Sequence, residues 1–272
     1  MANQVRSGIP LVQWGCARQH ARLIKSGGKR VSNSVISRVV RRAEGMIASA
    51  RLSSLTRNVV KQKLTYLTPQ KLARLESAGS TVIEKRIPGD ILEFGVALGG
   101  SAIILADFAK KGGRQFHGFD VFGMIPPPSD KDDSDAKSRY ETIASGASVG
   151  IDGDSYYGYR PDLFGDVCKA MAGHGVPVDG KAVTLHKGLF EDTLPHAPVQ
   201  QVALAHVDCD WYDPVKLCLD YLGPRLPPGG MVVIDDYHAF AACRKATDEF
   251  LRSRPDFVLD DGDNPILRRR GA

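Results

Sequence analysis

The amino-acid sequence predicts an α/β protein in which helices cover both faces of a mostly parallel sheet. Three observations lead there. From Pro88-Gly89 onward, short apolar strands alternate with helical segments, the pattern of parallel strands joined by crossovers. A glycine-rich turn from Gly95 to Gly100 joins the first strand to a helix. Two later strands end in aspartates, Asp208 with Asp210 and Asp235 with Asp236, and ligands of such sheets bind beyond the carboxyl ends of the strands.

Each element has its own signal. Residues 1–30 contain Gly8, Pro10, Gly15, Gly27 and Gly28 and read as irregular. From 32 to 76 apolar residues recur at helical spacing, first Val35, Ile36, Val39 and Val40, then Leu64, Leu67, Leu72 and Leu75. Thr68 followed by Pro69 reads as an N-cap with proline at the first helical position. Strands are expected at 90–95, 115–119, 182–186, 202–207, 231–234, 257–260 and 265–269. Helices are expected at 101–111, 162–174, 214–222 and 243–252, with Asp213 capping the one that opens at Pro214. Residues 123–160 hold three consecutive prolines, an acidic cluster and many Gly, Ser and Tyr, and read as a long loop or lid. The chain thus divides into an N-terminal extension and helical cap, 1–80, and an α/β domain, 81–272, with the lid inserted at about 123–160.

Composition narrows the function. The net charge of +5 comes largely from Arg18–Arg57 and Arg268–Arg270. These stretches lack interleaved aromatics and read as solvated surface, so no nucleic-acid partner is expected. No apolar run reaches the roughly 18 residues of a bilayer span, and residues 1–22 lack a signal-peptide pattern. A cytoplasmic protein without a membrane partner is expected. The five cysteines are odd in number and form no C-x-x-C pair, which speaks against a disulfide framework or a cysteine zinc site.

In the turn from Glu93 to Ser101 the glycines admit close backbone approach by a ligand. The N-terminus of the following helix offers free N–H groups to a carboxylate. Glu93 adds a negative charge suited to an ammonium group and unsuited to a diphosphate. Neither the G-x-G-x-x-G fingerprint nor a Walker P-loop is present. An amino-acid-bearing ligand such as S-adenosylmethionine fits better than NAD. Asp120, at the end of the second strand, is placed to hold ribose hydroxyls, and equally to serve as a turn residue. The aspartates at 208, 210, 235 and 236 would repel one another without compensation. A hard cation among them makes sense of the cluster, and oxygen ligands point to Mg²⁺, Ca²⁺ or Mn²⁺ rather than zinc.

These segments together resemble the macrocin O-methyltransferase family. The matching pieces are Gly89-Asp90-Ile-Leu-Glu93-Phe-Gly95 with Gly99-Gly100-Ser101, and Phe119-Asp120-Val-Phe-Gly123. They continue with Gly188-Leu-Phe190-Glu-Asp192-Thr-Leu-Pro195, Val207-Asp208-Cys-Asp210-Trp-Tyr212, and Pro228-Gly229-Gly230 leading to Ile234-Asp235-Asp236-Tyr237. The resemblance spans about 62–255. It implies a Rossmann-like class I methyltransferase fold with a seven-stranded sheet, and dependence on S-adenosylmethionine and on Mg²⁺ or another hard divalent cation. It implies Glu93, Phe94, Gly95, Val96, Gly99 and Ser101 as the cofactor turn, Asp120 as the ribose acid, and Phe190 and Asp192 as the adenine wall. Asp210, Asp235 and Asp236 are then the metal ligands and Asp208 the general base. Thr65, in Thr65-Tyr66-Leu67-Thr68 with Lys71-Leu72, belongs to a helix that covers the cofactor. The acceptor would be a small-molecule hydroxyl, such as a sugar of a glycosylated antibiotic. A homo-oligomer, at least a dimer, is expected, with the N-terminal helices as candidate docking elements.

Three departures stand out. Cys209 and His238 occupy positions where the family usually has glycine, and Ala97-Leu98 replaces an aromatic–basic pair. His238 reads as a partly exposed loop histidine or a substrate contact. Three other readings stay open on the residues: a catechol-type methyltransferase, a metal-dependent hydrolase using the same acids, and a cofactor-binding scaffold without activity.

Overall fold

The computed structural model describes residues 45–271. The helical reading over 32–44, Cys16 and much of the basic N-terminal stretch lie outside the described residues. Helix α1 covers 45–51. It is followed by α2 (Ser54–Lys61), α3 (Pro69–Glu84), β1 (Asp90–Phe94), α4 (Gly100–Lys111), β2 (Phe116–Asp120), α5 (Ser134–Ala144) and α6 (Leu163–Gly173). The chain continues with β3 (Val183–Lys187), α7 (Phe190–Thr193), β4 (Val202–Val207), α8 (Tyr212–Leu222), β5 (Met231–Ile234), α9 (Ala241–Ser253), β6 (Phe257–Asp260) and β7 (Ile266–Arg269).

The seven strands form one sheet in the order β3-β2-β1-β4-β5-β7-β6. The first five are parallel, and β7 runs antiparallel to both neighbours. The chain order reverses between β1 and β4, and the carboxyl ends there open a crevice. Strand pleating sends alternate side chains to opposite faces. Ile91, Met231 and Val233 pack with Leu72, Leu75, Val82 and Ile103 of α3 and α4. Leu92, Phe94, Val232 and Ile234 pack with Val215, Leu219, Ala246 and Phe250 of α8 and α9. The seven-stranded, mostly parallel α/β sheet expected from the sequence is present. Helix α3 runs through residues 80 and 81 and shares a core with α4. Its N-cap is Thr68, whose side chain accepts from the Lys71 amide, with Pro69 at the first helical position. Among the described residues no helix is long and apolar enough to cross a membrane.

Two local expectations are corrected. Helix α8 opens at Tyr212, with Trp211 at the N-cap, so Asp213 lies in the first turn rather than at the cap. The 123–160 segment is not a plain loop. Asp133 accepts from the Ala136 amide at 2.9 Å and nucleates α5, and two short 3₁₀ turns follow at Ile151–Gly153 and Tyr157–Tyr159. The proline run and the surrounding polar residues hid that cap in the sequence.

At the β2–β3 edge, His117 Nδ1 lies 3.1 Å from His186 Nε2, and the His186 ring stacks on Phe119 at 4.4 Å. Burial, reinforced by His117, holds His186 down to about 4 from 6.5. An unfolded histidine takes up its proton near 6.5, so the unfolded chain binds more protons over this interval. The contribution is full above pH 6.5 and is lost as pH falls toward 4. The variant His186→Phe keeps a stacking ring without the titration. The urea midpoint should drop less between pH 7 and pH 5 in that variant than in the parent; equal drops would contradict the assignment.

Candidate active site

The site lies at the carboxyl ends of β1, β2, β4 and β5. The ladder carries on past the strands: Asp208 N–H donates to Phe94 O at 2.8 Å and Asp235 N–H to Val207 O at 2.9 Å. Gly95 has φ +91°, and a Cβ there would sit 1.8 Å from the Asp208 carbonyl oxygen. Only glycine lets the turn after β1 meet the end of β4 backbone to backbone. Gly99 (φ +87°) is the left-handed N-cap of α4. Gly100 N–H donates to Leu64 O at 2.9 Å, and a Cβ on Gly100 would strike both Leu64 O and the Thr65 side chain. Thr65 is not helical as expected but lies in the connection between α2 and α3, and this connection closes directly over the α4 N-terminus.

Asp120 locks this turn. Its Oδ2 accepts from the Val96 and Ala97 amides at 2.7 and 3.0 Å, and its Oδ1 from Phe122 at 2.6 Å. Burial raises its pKa, and the three amides work against that. Both carboxylate oxygens are thus engaged with backbone, a role the ribose expectation did not include. Val96 and Ser101 are buried. Phe190 opens α7 and meets Phe94 edge-on at 5.7 Å, while Asp192 is exposed on the same short helix.

The aspartates fall into two groups. Carboxylate oxygens of Asp208, Asp210 and Asp236 lie within 4.8 Å of one another. Asp210 holds a left-handed backbone (φ 60°), strain of the kind found at functional sites. Burial, then the charge of Asp235, pushes both Asp208 and Asp236 up to about 8. Burial and Asp236 raise Asp210 as well. Asp236 Oδ2 is buried without a hydrogen-bond partner among the described residues. An all-oxygen set of mutually repelling carboxylates fits a hard divalent cation.

Asp235 is different. Lys71 Nζ lies 2.6 Å from its Oδ2 and 3.0 Å from its carbonyl oxygen. Its Oδ1 is 3.9 Å from His206 Nε2, an ion-pair distance rather than a hydrogen bond. Burial opposes its charge, but His206 and Lys71 outweigh burial and hold Asp235 below the ordinary carboxylate value. Burial likewise disfavours the Lys71 ammonium, and Asp235 with Asp236 overcomes this and raises it. Lys71 was legible only as part of the family-like helix, and its pairing with Asp235 was not foreseen.

His206 was missed. Its signal is positional: parallel pairing sets Glu93 opposite His206 and His206 opposite Val233. The pleat then brings Glu93, His206 and Asp235 to the face covered by α3 and α4. His206 Nδ1 lies 2.9 Å from Glu93 Oε1, and both residues are fully buried. Burial lowers the imidazole pKa, and the two carboxylates outweigh it, pushing His206 up to about 10. Burial raises Glu93, with His206 and Ser101 opposing. Glu93 Oε2 is buried and has no hydrogen-bond partner among the described residues, which suits the ammonium of an incoming amino-acid moiety.

The lid is tied to the same place. Trp211 Nε1 donates to Pro126 O at 3.0 Å, and the Tyr212 amide to Asp132 Oδ1 at 2.8 Å. The tip meets the Thr65 segment through Tyr66 against Tyr157 (6.0 Å) and Lys63 with Asp152 (3.3 Å). Tyr156 is buried, and Tyr159 bonds within the lid to Ile143 O. His238 is engaged with the loop before β7: its Nε2 lies 3.0 Å from Asp261 Oδ1 and 3.1 Å from Gly262 O.

This sheet, with a glycine turn after β1 and acids at the ends of β4 and β5, is that of a class I methyltransferase. It aligns with the solved O-methyltransferase NovP at a TM-score of 0.64, with 23% identity over 76% of this chain and 82% of that one. It also aligns with an SAH-bound methyltransferase of Podospora anserina at 0.53, with 16% identity over 92% of this chain and 100% of that one. The macrocin-O-methyltransferase (TylF) family model matches residues 29–256, and the chain belongs to that family of S-adenosylmethionine-dependent O-methyltransferases. It is 31% identical over 190 residues to the 8-demethyl-8-(2,3-dimethoxy-alpha-L-rhamnosyl)-tetracenomycin-C 4'-O-methyltransferase of Streptomyces olivaceus, covering 68% of this chain and 67% of that protein. It is 28% identical over 215 residues to the mycinamicin III 3''-O-methyltransferase of Micromonospora griseorubida, covering 76% of this chain and 79% of that protein.

Gly95→Ala tests the backbone contact. The added Cβ has no flexible neighbour to displace, so the variant should lose about 3 kcal/mol or more of stability, read as a lowered urea midpoint. Unchanged stability would show that β1 and β4 do not need this approach.

Proposed function

We propose that the enzyme transfers a methyl group from S-adenosylmethionine to a hydroxyl on the sugar of a glycosylated natural product, with a hard divalent cation, most simply Mg²⁺, held by its strand-end aspartates. The observation that carries this reading is the convergence of Asp208, Asp210 and Asp236 within 4.8 Å, one of their oxygens buried and unpartnered, beside the glycine turn. The sugar acceptor is supported by the relatives, whose names describe methylation of a rhamnosyl tetracenomycin and of mycinamicin III.

Each residue then has a task. Glu93 Oε2 takes the cofactor's ammonium, and the α4 amides that follow Gly100, whose own N–H is given to Leu64 O, take its carboxylate. Asp120 keeps the turn around Val96 in shape and stands next to the ribose. Phe190 and Asp192 border the adenine. Asp210 and Asp236 hold the cation, with Asp235 beside them on its Lys71 and His206 contacts, and Asp208 stands among them as acceptor of the hydroxyl proton. When bound, the cation lowers the pKa of the acceptor hydroxyl, and S-adenosylmethionine supplies the methyl group. The lid excludes water and orients the acceptor, and positioning of this kind supplies several kcal/mol of the rate enhancement.

Calorimetry with S-adenosylmethionine, with and without MgCl₂, is the direct test. Micromolar binding is expected; its absence in both conditions would remove the proposal. The double variant Asp210→Asn/Asp236→Asn should keep cofactor binding and lose metal-dependent turnover by on the order of a hundredfold or more. Full turnover in that variant would rule out the metal role.

A further inference from the structure

We infer that His206 is a positioning residue that joins the cofactor turn to the acidic centre, with one ring nitrogen assigned to each. The inference rests on the cofactor and cation reading above and adds a residue that neither the sequence motifs nor that reading employs.

His206 lies one strand from Glu93 and one strand from Asp235, and the register fixes it between them. Its Nδ1 donates to Glu93 Oε1 at 2.9 Å, and its Nε2 faces Asp235 Oδ1 at 3.9 Å. All three side chains are nearly or wholly buried, at 0%, 0% and 7% exposure. No water competes for these contacts, so each ring nitrogen has a fixed job. On the β1 side, occupation of Oε1 leaves one Glu93 oxygen, Oε2, buried and without a hydrogen-bond partner among the described residues. A carboxylate with one oxygen tied has one direction left in which to receive an ammonium. On the β5 side, Lys71 holds Asp235 at Oδ2, and His206 Nε2 faces Oδ1 across an ion-pair distance of 3.9 Å, both of those atoms being buried without a hydrogen-bond partner among the described residues. Lys71 also donates to the Asp235 carbonyl oxygen at 3.0 Å, so the backbone leading into Asp236 is held as well. A histidine in this position does what neither lysine nor arginine would do as compactly: it presents two nitrogens on opposite sides of a rigid ring.

The two jobs are separable by isosteres. Asparagine places its amide nitrogen near the position of histidine Nδ1, and glutamine places its own near Nε2. His206→Asn should therefore keep S-adenosylhomocysteine affinity near the parent value and weaken Mg²⁺ or Mn²⁺ binding by on the order of tenfold. His206→Gln should do the reverse, weakening S-adenosylhomocysteine by on the order of tenfold and leaving the metal affinity close to the parent. Both affinities are read by calorimetry on the full chain, independently of turnover. A residue that only fills space would weaken both ligands alike in both variants, and that result overturns the inference, as does parent-like binding throughout. If the variants do not fold, the unmodified protein decides: with ¹⁵N-labelled histidine, the Nδ1 proton signal of a buried imidazole should shift on adding S-adenosylhomocysteine and shift again on adding Mg²⁺. A histidine spectrum in which no buried ring responds to both ligands counts against it. Parent protein that binds neither ligand rejects the functional reading; parent protein that binds both, with variants that do not split, rejects only the role of His206.

Discussion

Negative charge kept out of water is the constraint that shapes this molecule. Glu93, Asp120, Asp235 and Asp236 are all buried at one end of the sheet, and Asp208 and Asp210 stand among them. An uncompensated buried carboxylate costs several kcal/mol, so the fold has to bring compensation to each. Asp120 receives three backbone amides. Glu93 receives an imidazole. Asp235 receives a lysine and shares the same imidazole. Asp208, Asp210 and Asp236 are left without an internal partner of this quality. Burial raises Glu93 and Asp120 too, and only Asp235, with its lysine and imidazole, is held down; Asp208 and Asp236 are driven up to about 8, and Asp210 rises with them.

That requirement explains why both ends of the described chain close on the sheet. Lys71 sits in the first turn of α3, where the helix dipole disfavours a cation. Its contacts with the Asp235 carboxylate and carbonyl offset that penalty. From the other end, Asn264 Nδ2 donates to Lys71 O at 3.3 Å, and Arg74 reaches Asn264 O and Asp260 O. The β6–β7 hairpin thus clamps the helix that carries the counter-charge. Helix α3 is bonded directly into the acidic centre through Lys71.

How legible this was depends on the range of the interaction. The strands, and the places of the glycine turn and of the aspartates at the strand ends, were legible because they rest on local signals: alternation, backbone freedom and residue type at a strand end. The Thr68-Pro69 cap was local as well. Lys71 and Asp235 are 164 residues apart, and no local pattern announces such a pair. The Glu93–His206 contact needs the register of two parallel strands that are neighbours in the sheet but separated in the chain by β2 and β3, which pattern alone does not supply. Asp133 was masked as a cap because it stands among other acids, and so α5 was missed within a segment that composition marked as loop. Asp120 was read for its place at a strand end; its bonds to Val96, Ala97 and Phe122 depend on a turn geometry that glycine content only suggests.

Cys209 shows how a departure from the family pattern can be absorbed. It lies between Asp208 and Asp210 and packs against the α8–α9 side of the sheet with Cys218 and Cys243 as near neighbours. An apolar side chain on that side resists rotation of the segment, since turning it would expose the thiol and bury a carboxylate in the core. The aspartates on either side are thereby left facing the crevice, and the left-handed backbone at Asp210 completes the turn toward Asp236. Glycine at 209 would give the segment freedom without an anchor. Cysteine supplies the anchor at small volume, and its burial keeps the thiol protonated, with a pKa well above the ordinary value, so it adds no further negative charge to a place that already holds too much.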